Sequence, residues 1–373
     1  MNILFLDQFS DLGGAQQCLL DLLPAIQQQG WNAHVAAPGD GPLVARVKAL
    51  GFTADRVPSG PFSSGKKSAG DVLRFAFEWP RLTGRIRELA DRYQIELLYV
   101  NGPRLLPAAA QSQMPIIFHC HNYLASGSPE WLVGRALRKS RATVIASCDF
   151  VAKPLRKYMA AERVHTVYNG VKEALNNGRA RHDRTVGVVG RIAPEKGQAE
   201  FIQAVKILIE RRIDCRFQIC GGPLFGDREA SAYYERVRAL ATGLPVEFVT
   251  WQSDIGGVLR GLDLLVVPSV APEATPRVIL EAYSASVPVV AFRSGGIPEI
   301  VQNDQTGFLI DEPSPRALAD KIEALLQSPE RLRQAAEAGR QLWQRQFMLD
   351  RCQREIVNLC NTVQMSAVAD TAR

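Results

Sequence analysis

Two carboxylates, Glu273 and Glu281, bracket Thr275-Pro276 in the segment EATPRVILE. Threonine suits an N-cap, and proline suits the first helical position, where its missing N–H would have had no partner. The pair predicts a helix beginning at Pro276. The amides of Arg277 and Val278 would then point out of the helix end and, with the macrodipole, favour an anion such as phosphate. Arg277 is electrostatically misplaced at that end unless an anion offsets it. Glu281 would lie about 7 Å further along the axis at 1.5 Å per residue. That reach suits a ribose beside a phosphate, with the carboxylate accepting from its hydroxyls. The same segment also reads as a capped surface helix with incidental acids.

A second group sits in GRIAPEKG, Gly190 to Gly197. It follows the apolar run VGVV and precedes a helical pattern, which puts Arg191 and Lys196 at a strand's carboxyl end. A guanidinium fork and an ammonium point charge together would neutralise a diphosphate; a plain basic loop has the same composition. In DLGGAQQ, Gly13 and Gly14 lie between the first strand and the first helix, where glycine lets a backbone approach a ligand. The spacing is not G-x-G-x-x-G, so no dinucleotide fingerprint is present. FHCHNY ends a strand with His119 and His121. No metal site is read around them.

These residues need elements to position them, and the sequence supplies two series. Strand-like runs ILFL, AHVAA, ELLYV and PIIFH come first, with a helix over 15–29 after the glycine loop. TVGVVG, CRFQIC, VEFV, DLLVV, PVVAF and GFLI follow, with a helix over 198–212. Short apolar runs alternating with helices predict parallel α/β sheets. The polar stretch 176–184 reads as the linker between two doubly wound domains. Ligands in such folds bind at the carboxyl ends of the strands. Residues 314–363 read as helical, with Trp343 and Phe347 as apolar anchors, and the chain from about Met365 as a loose tail.

The chain has 373 residues and is 46% hydrophobic, enough for two cores. Seven cysteines without a C-x-x-C pair fit a reducing compartment, and no apolar run approaches a membrane span. A cytoplasmic protein is expected. Lys and Arg outnumber Asp and Glu by 19 to 13 in residues 1–170 but balance at 25 each afterwards. Part of the excess gathers from Arg135 to Arg163, a patch suited to an anionic membrane face or simply to solvent. No nucleic-acid-binding motif accompanies it.

Taken together, VGVVGRIAPEKG, DLLVVPSVAPEATPRVILEAYSASVPVVAFRSGGIPEIV and GFLI resemble the retaining GT-B glycosyltransferases, specifically glycosyltransferase family 4. The resemblance is strongest from Thr185 to about Leu309. It implies two Rossmann-like domains facing a central cleft. The first, residues 1–172, would bind acceptor, and the second, 173–345, the nucleotide-sugar. A C-terminal helix within 346–373 would return to the first domain, a crossing that Trp343 and Phe347 would anchor. By the same resemblance Gly190, Arg191 and Lys196 face the donor diphosphate, with the amides after Pro276 on its far side. Glu273 contacts the transferred sugar, Glu281 the ribose, and Gly14 the phosphate or acceptor. His121, rather than His119, lines the sugar site opposite Glu273, and Thr250 and Trp251 lie near the base. Many relatives have Phe-Gly at Thr275-Pro276 and glycine at Ser286.

The implied reaction retains anomeric configuration, by same-face substitution assisted by the leaving diphosphate, with no cofactor and no metal. The acceptor would be a glycan or lipid-linked glycan in cell-surface polysaccharide or glycolipid synthesis. Another GT-B enzyme, such as a sugar-nucleotide epimerase or a phosphorylase, and a non-catalytic nucleotide-sugar-binding partner are the alternatives. An NAD-dependent oxidoreductase lacks its fingerprint loop here. In the first half, Lys66, Lys67, Arg74 and Arg81 mix with Phe75, Phe77 and Trp79. That mixture suits either a peripheral contact with an anionic membrane or the core of a helix.

Overall fold

A computed structural model describes residues 1–60, 69–174, 184–223, 228–252 and 254–371. The chain divides into two compact units, Met1–Asn169 with Asp350–Arg373, and Gly170–Leu349. The proposed linker, 176–184, falls almost wholly outside the described residues, as do Lys66 and Lys67.

The first unit holds a parallel sheet of seven strands. They are β1 (Asn2–Asp7), β2 (Asn32–Ala37), β3 (Thr53–Arg56), β4 (Leu97–Asn101), β5 (Ile116–Cys120), β6 (Thr143–Ala146) and β7 (Val164–Thr166), in the order β3-β2-β1-β4-β5-β6-β7. Strands β4 and β5 are buried along their whole length, which is why they read as unbroken apolar runs. The order reverses between β1 and β4, whose last residues, Asp7 and Asn101, are register partners. The helix Gly14–Gln28 packs Leu19, Leu22, Leu23 and Ile26 on this sheet. Cys352, Ile356, Val357 and Cys360, from the helix Leu349–Thr371, complete the same core.

The second unit repeats the plan with β8 (Thr185–Val189), β9 (Arg216–Cys220), β10 (Val246–Val249), β11 (Leu264–Val267), β12 (Val289–Phe292) and β13 (Phe308–Ile310). Their order is β10-β9-β8-β11-β12-β13, with every pairing parallel. Here the reversal lies between β8 and β11. Phe201, Ile202, Val205 and Leu208, from the helix Gln198–Glu210, pack against Phe217, Leu264 and Phe292.

Several expectations are corrected. The segment after Met365 is not a tail: one helix runs from Leu349 to Thr371, because the stretch contains neither glycine nor proline to end it. Trp343 and Phe347 are buried in the second unit, where Trp343 Nε1 donates to Val171 O and Val171 N to Phe347 O. The anchors that join the first unit's core are the later residues Cys352 to Cys360. Strands β3, β6 and β7 went unread; β3, TADR, is a partly exposed edge without an apolar run.

Candidate functional site in the second unit and a polar cluster in the first

In the second unit the loops after β8 and β11 flank the crevice where strand order reverses, the position at which open α/β sheets bind ligands. Gly190, Arg191 and the short helical turn Pro194–Lys196 follow β8. Ser269 to Thr275 follow β11. The loops are locked together by the Val270 amide, which donates to Glu195 O at 3.0 Å. Gly197 adopts φ +71°, and a Cβ there would overlap Pro268 O, so the close approach requires glycine.

Lys196 Nζ donates to Glu273 Oε1 at 2.6 Å, and Ser269 Oγ donates to the same oxygen at 2.8 Å. The residues paired here lie 77 positions apart in the chain. Glu273 is mostly buried and Lys196 somewhat less so, so the pair is a charge-assisted bond in reduced dielectric. Arg191 is ion-paired with Glu195, and Gln198 Nε2 donates to Arg191 O at 2.9 Å. Arg191 and Lys196, both predicted to face a diphosphate, each meet an acid of this chain here.

The third loop, after β12, supports Glu273 from behind. Gly296 N donates to Glu273 O at 2.8 Å, and Ser294 Oγ donates to Ala271 O at 2.6 Å. Gly295, at φ +55°, lies so close to the Glu273 backbone that a Cβ would overlap it.

The helix carrying Glu281 begins one residue later than expected. It spans Arg277–Ser284 with Pro276 as the N-cap residue, and no side chain caps it. Thr275 is thus not the N-cap: it is buried in the preceding loop. Pro276, at ψ 111°, holds the extended backbone that precedes the helix. Arg277 and Val278 remain in its first turn. Arg277 Nε lies 3.5 Å from Glu281 Oε1, and Arg277 Nη1 donates to Gly170 O at 3.3 Å. A carboxylate of the same helix, one turn on, offsets the arginine at this end. Thr250 and Trp251 follow the edge strand β10. Thr250 O accepts from Gln252 Nε2 at 3.1 Å, and Trp251 is 48% exposed.

In the first unit, Gly14 is the first residue of the helix Gly14–Gln28 and Gly13 its N-cap; Gly13 N donates to Gln16 Oε1 at 3.2 Å. His121 follows β5. Its Nε2 lies 2.8 Å from Asn101 Oδ1, and its ring lies tilted against that of His119, with centroids 3.8 Å apart. His119 is buried, with Nδ1 2.6 Å from Tyr99 OH; burial holds its pKa well below the usual histidine value, so it is neutral. His119 therefore sits in the core and His121 at its edge.

Residues that sequence reasoning missed are Ser269, Ser294 and Gly295 in the second unit and Asp7, Gln16 and Asn101 in the first. The signal for the last group was available: ILFLD and LLYVN each end an apolar strand on a polar residue, as IIFHCH does.

The family model described as "Glycosyl transferases group 1" matches residues 172–342, and that for "Glycosyltransferase Family 4" matches residues 12–175. A D-inositol 3-phosphate glycosyltransferase of Corynebacterium glutamicum (strain R) is 35% identical over 162 residues, 42% of this chain and 38% of that protein. The chain thus spans less than half the length of that relative. An alpha-D-kanosaminyltransferase of Streptomyces kanamyceticus is 31% identical over 227 residues, 56% of this chain and 57% of that protein. Among solved structures, Anabaena Alr3699/HepE in complex with UDP and glucose superposes with a TM-score of 0.82 at 23% identity, covering 97% of this chain and 99% of that one.

Proposed function

Because this chain belongs to the glycosyltransferases, carrying both the group 1 and the family 4 domains on a GT-B fold, we propose that it transfers a sugar from a nucleoside diphosphate to a hydroxyl acceptor. The observation that carries this reading is the cluster Ser269–Glu273–Lys196 at the strand-order reversal of the second unit.

Loss of a nucleoside diphosphate develops negative charge on the leaving phosphate, and preorganised cations and amides lower that barrier. Lys196 and Arg191 take this role, with the amides of Arg277 and Val278 at the helix start. As Lys196 turns to phosphate, Glu273 is released to accept from hydroxyls of the transferred sugar. Ser269 keeps Glu273 positioned through the exchange. Glu281 accepts from the ribose hydroxyls, Trp251 stacks on the base beside Thr250, and Gly190 gives the phosphates room. In the first unit, Gly14 is the candidate for contact with phosphate or acceptor and His121 the candidate for contact with a sugar. Neutralisation by side chains makes the transfer metal-independent. We read it as retaining, by same-face substitution.

The acceptor is a glycan or lipid-linked glycan, and the pathway one that builds cell-surface polysaccharide or glycolipid. The protein works in the cytoplasm, in peripheral contact with anionic lipid. Support for that contact comes from the helix Ser128–Lys139, where Trp131 is 57% exposed with Arg135 above its ring. Not all of the basic patch is available to it: Arg156 pairs with Asp149 at 2.7 Å, and Arg163 donates to Ala142 O. No helix among the described residues is long and apolar enough to cross a membrane.

Calorimetric titration with UDP, GDP, ADP and their sugar conjugates in EDTA tests the donor site. Binding of one nucleotide family, abolished in Lys196→Ala, is expected; equal binding by that variant would refute the assignment. The anomeric proton coupling of the product tests retention. Failure to sediment with anionic liposomes at low salt would refute the membrane contact.

A further inference from the structure

We propose that Asp7, acting through Asn101, fixes the tautomer and orientation of His121 and sets the glycine loop by the same carboxylate. The proposal rests on the reading of His121 as a transfer-site residue only for its catalytic consequence. The tautomer itself follows from hydrogen-bond chemistry.

Asp7 ends β1, beside Asn101 at the end of β4, and its side chain is completely buried. Its Oδ1 accepts from the Phe9 amide at 2.9 Å and from Gln16 Nε2 at 2.8 Å; its Oδ2 accepts from Asn101 Nδ2 at 2.6 Å. Asn101 Nδ2 also approaches Ala15 O at 3.3 Å. Both neighbours of that nitrogen are acceptors, so the amide has one consistent orientation. Its Oδ1 then faces His121 Nε2 at 2.8 Å, and an oxygen that only accepts requires Nε2 to carry the proton. In the neutral ring the lone pair is thereby placed on Nδ1.

The second arm of the carboxylate runs to the glycine loop. With Nε2 bound to Asp7, Gln16 turns Oε1 to accept from the Gly13 amide. One buried charge thus orients two parts of the first unit. Burial of an acid this deep is costly unless it is hydrogen-bonded, and the Phe9 amide, Gln16 and Asn101 all donate to it. His119, whose ring lies tilted against that of His121, is neutral, so it adds no competing charge.

The chain of amides makes a signed prediction. Asp7→Asn places an NH2 where a carboxylate oxygen accepted. The low-energy response is for the Asn101 amide to turn over, presenting NH2 to His121 and forcing Nε2 to become the acceptor. The swap Asp7→Asn with Asn101→Asp restores an acceptor opposite Nε2 while keeping Gln16 and Phe9 satisfied. Positioning effects of this kind in carboxylate–histidine systems cost about 10²- to 10⁴-fold in turnover.

The test is 15N NMR of histidine-labelled protein, with steady-state kinetics alongside. Wild-type His121 is expected to show Nε2–H, Asp7→Asn to show Nδ1–H, and the double swap to return to Nε2–H. Turnover should fall about 100-fold or more in Asp7→Asn with donor KM little changed, and recover in the swap. Nδ1–H in the wild type, or Nε2–H kept by Asp7→Asn, would overturn the proposal. A folded swap that shows Nδ1–H would overturn it too. Should Asp7→Asn not fold, the wild-type spectrum and the swap still decide. Full turnover in His121→Ala would instead refute the assignment of His121 to the transfer site, leaving the tautomer result to stand for Asp7.

Discussion

Replacing Gly295 by alanine adds one methyl group and strikes the proposed sugar contact through the backbone alone. Gly295 sits at φ +55°, where an L side chain is strained by about 1 kcal/mol. Its new Cβ would overlap both N and O of Glu273, whereas ordinary contact begins at 3.4 Å. Relief requires the Glu273 backbone to withdraw by roughly 1 Å. That movement weakens the 2.8 Å bond from Gly296 N to Glu273 O, worth about 1 kcal/mol. The sum is a loss of about 2 kcal/mol of unfolding free energy. A displacement of about 1 Å at a positioned group costs around 10²-fold in turnover. The assays are chemical denaturation and initial rates with the nucleotide-sugar found by calorimetry. Gly243→Ala is the control: its φ is +78° but nothing lies within 4 Å of the added carbon. It should lose only the backbone contribution and keep full turnover. If Gly295→Ala matched Gly243→Ala in both measurements, the support of Glu273 by this loop would be wrong.

Ser286→Gly should raise stability by about 0.5–1 kcal/mol in denaturant titration, since Ser286 holds φ +56° just beyond the Arg277–Ser284 helix. Glu273→Ala and Lys196→Ala should each reduce turnover by about 10²- to 10³-fold with unchanged circular dichroism, because the first removes the acceptor for the sugar hydroxyls and the second a cation facing the leaving phosphate. Burial raises the Asp7 pKa to about 6 from the model-compound value of 3.8. The folded state therefore holds this proton more tightly than the unfolded chain. The associated stability is complete below about pH 4 and lost as pH rises through about 6, roughly 3 kcal/mol in all at 1.36 kcal/mol per unit. Unfolding free energies of wild type and Asp7→Asn across pH 4–7 should diverge by that slope; parallel curves would contradict it.

Runs such as ELLYV, DLLVV and PVVAF declared parallel strands because residues buried on both faces of a sheet have to be apolar without interruption. Gly13-Gly14, Arg191 and Lys196 declared themselves because polar and glycine residues directly after such runs must lie at strand carboxyl ends. For the same reason the fold class and most of the proposed donor residues were legible in residue order alone. Short edge strands such as β3 were not, since three or four half-exposed residues carry too little periodicity. The start of the helix after Pro276 moved by a residue because Thr275, a good cap by type, is drawn into the buried loop instead.

Pairing is a property of the assembled sheets. Lys196 and Glu273 are 77 residues apart, and Asp7 and Asn101 are 94 apart. Strand order brings each pair together at a reversal point, and no local preference encodes strand order. Local pattern dictates which residue types end the strands. Which of them share a proton, a charge or an oxygen depends on which strands lie side by side, and that is settled by burying both faces of each sheet at once.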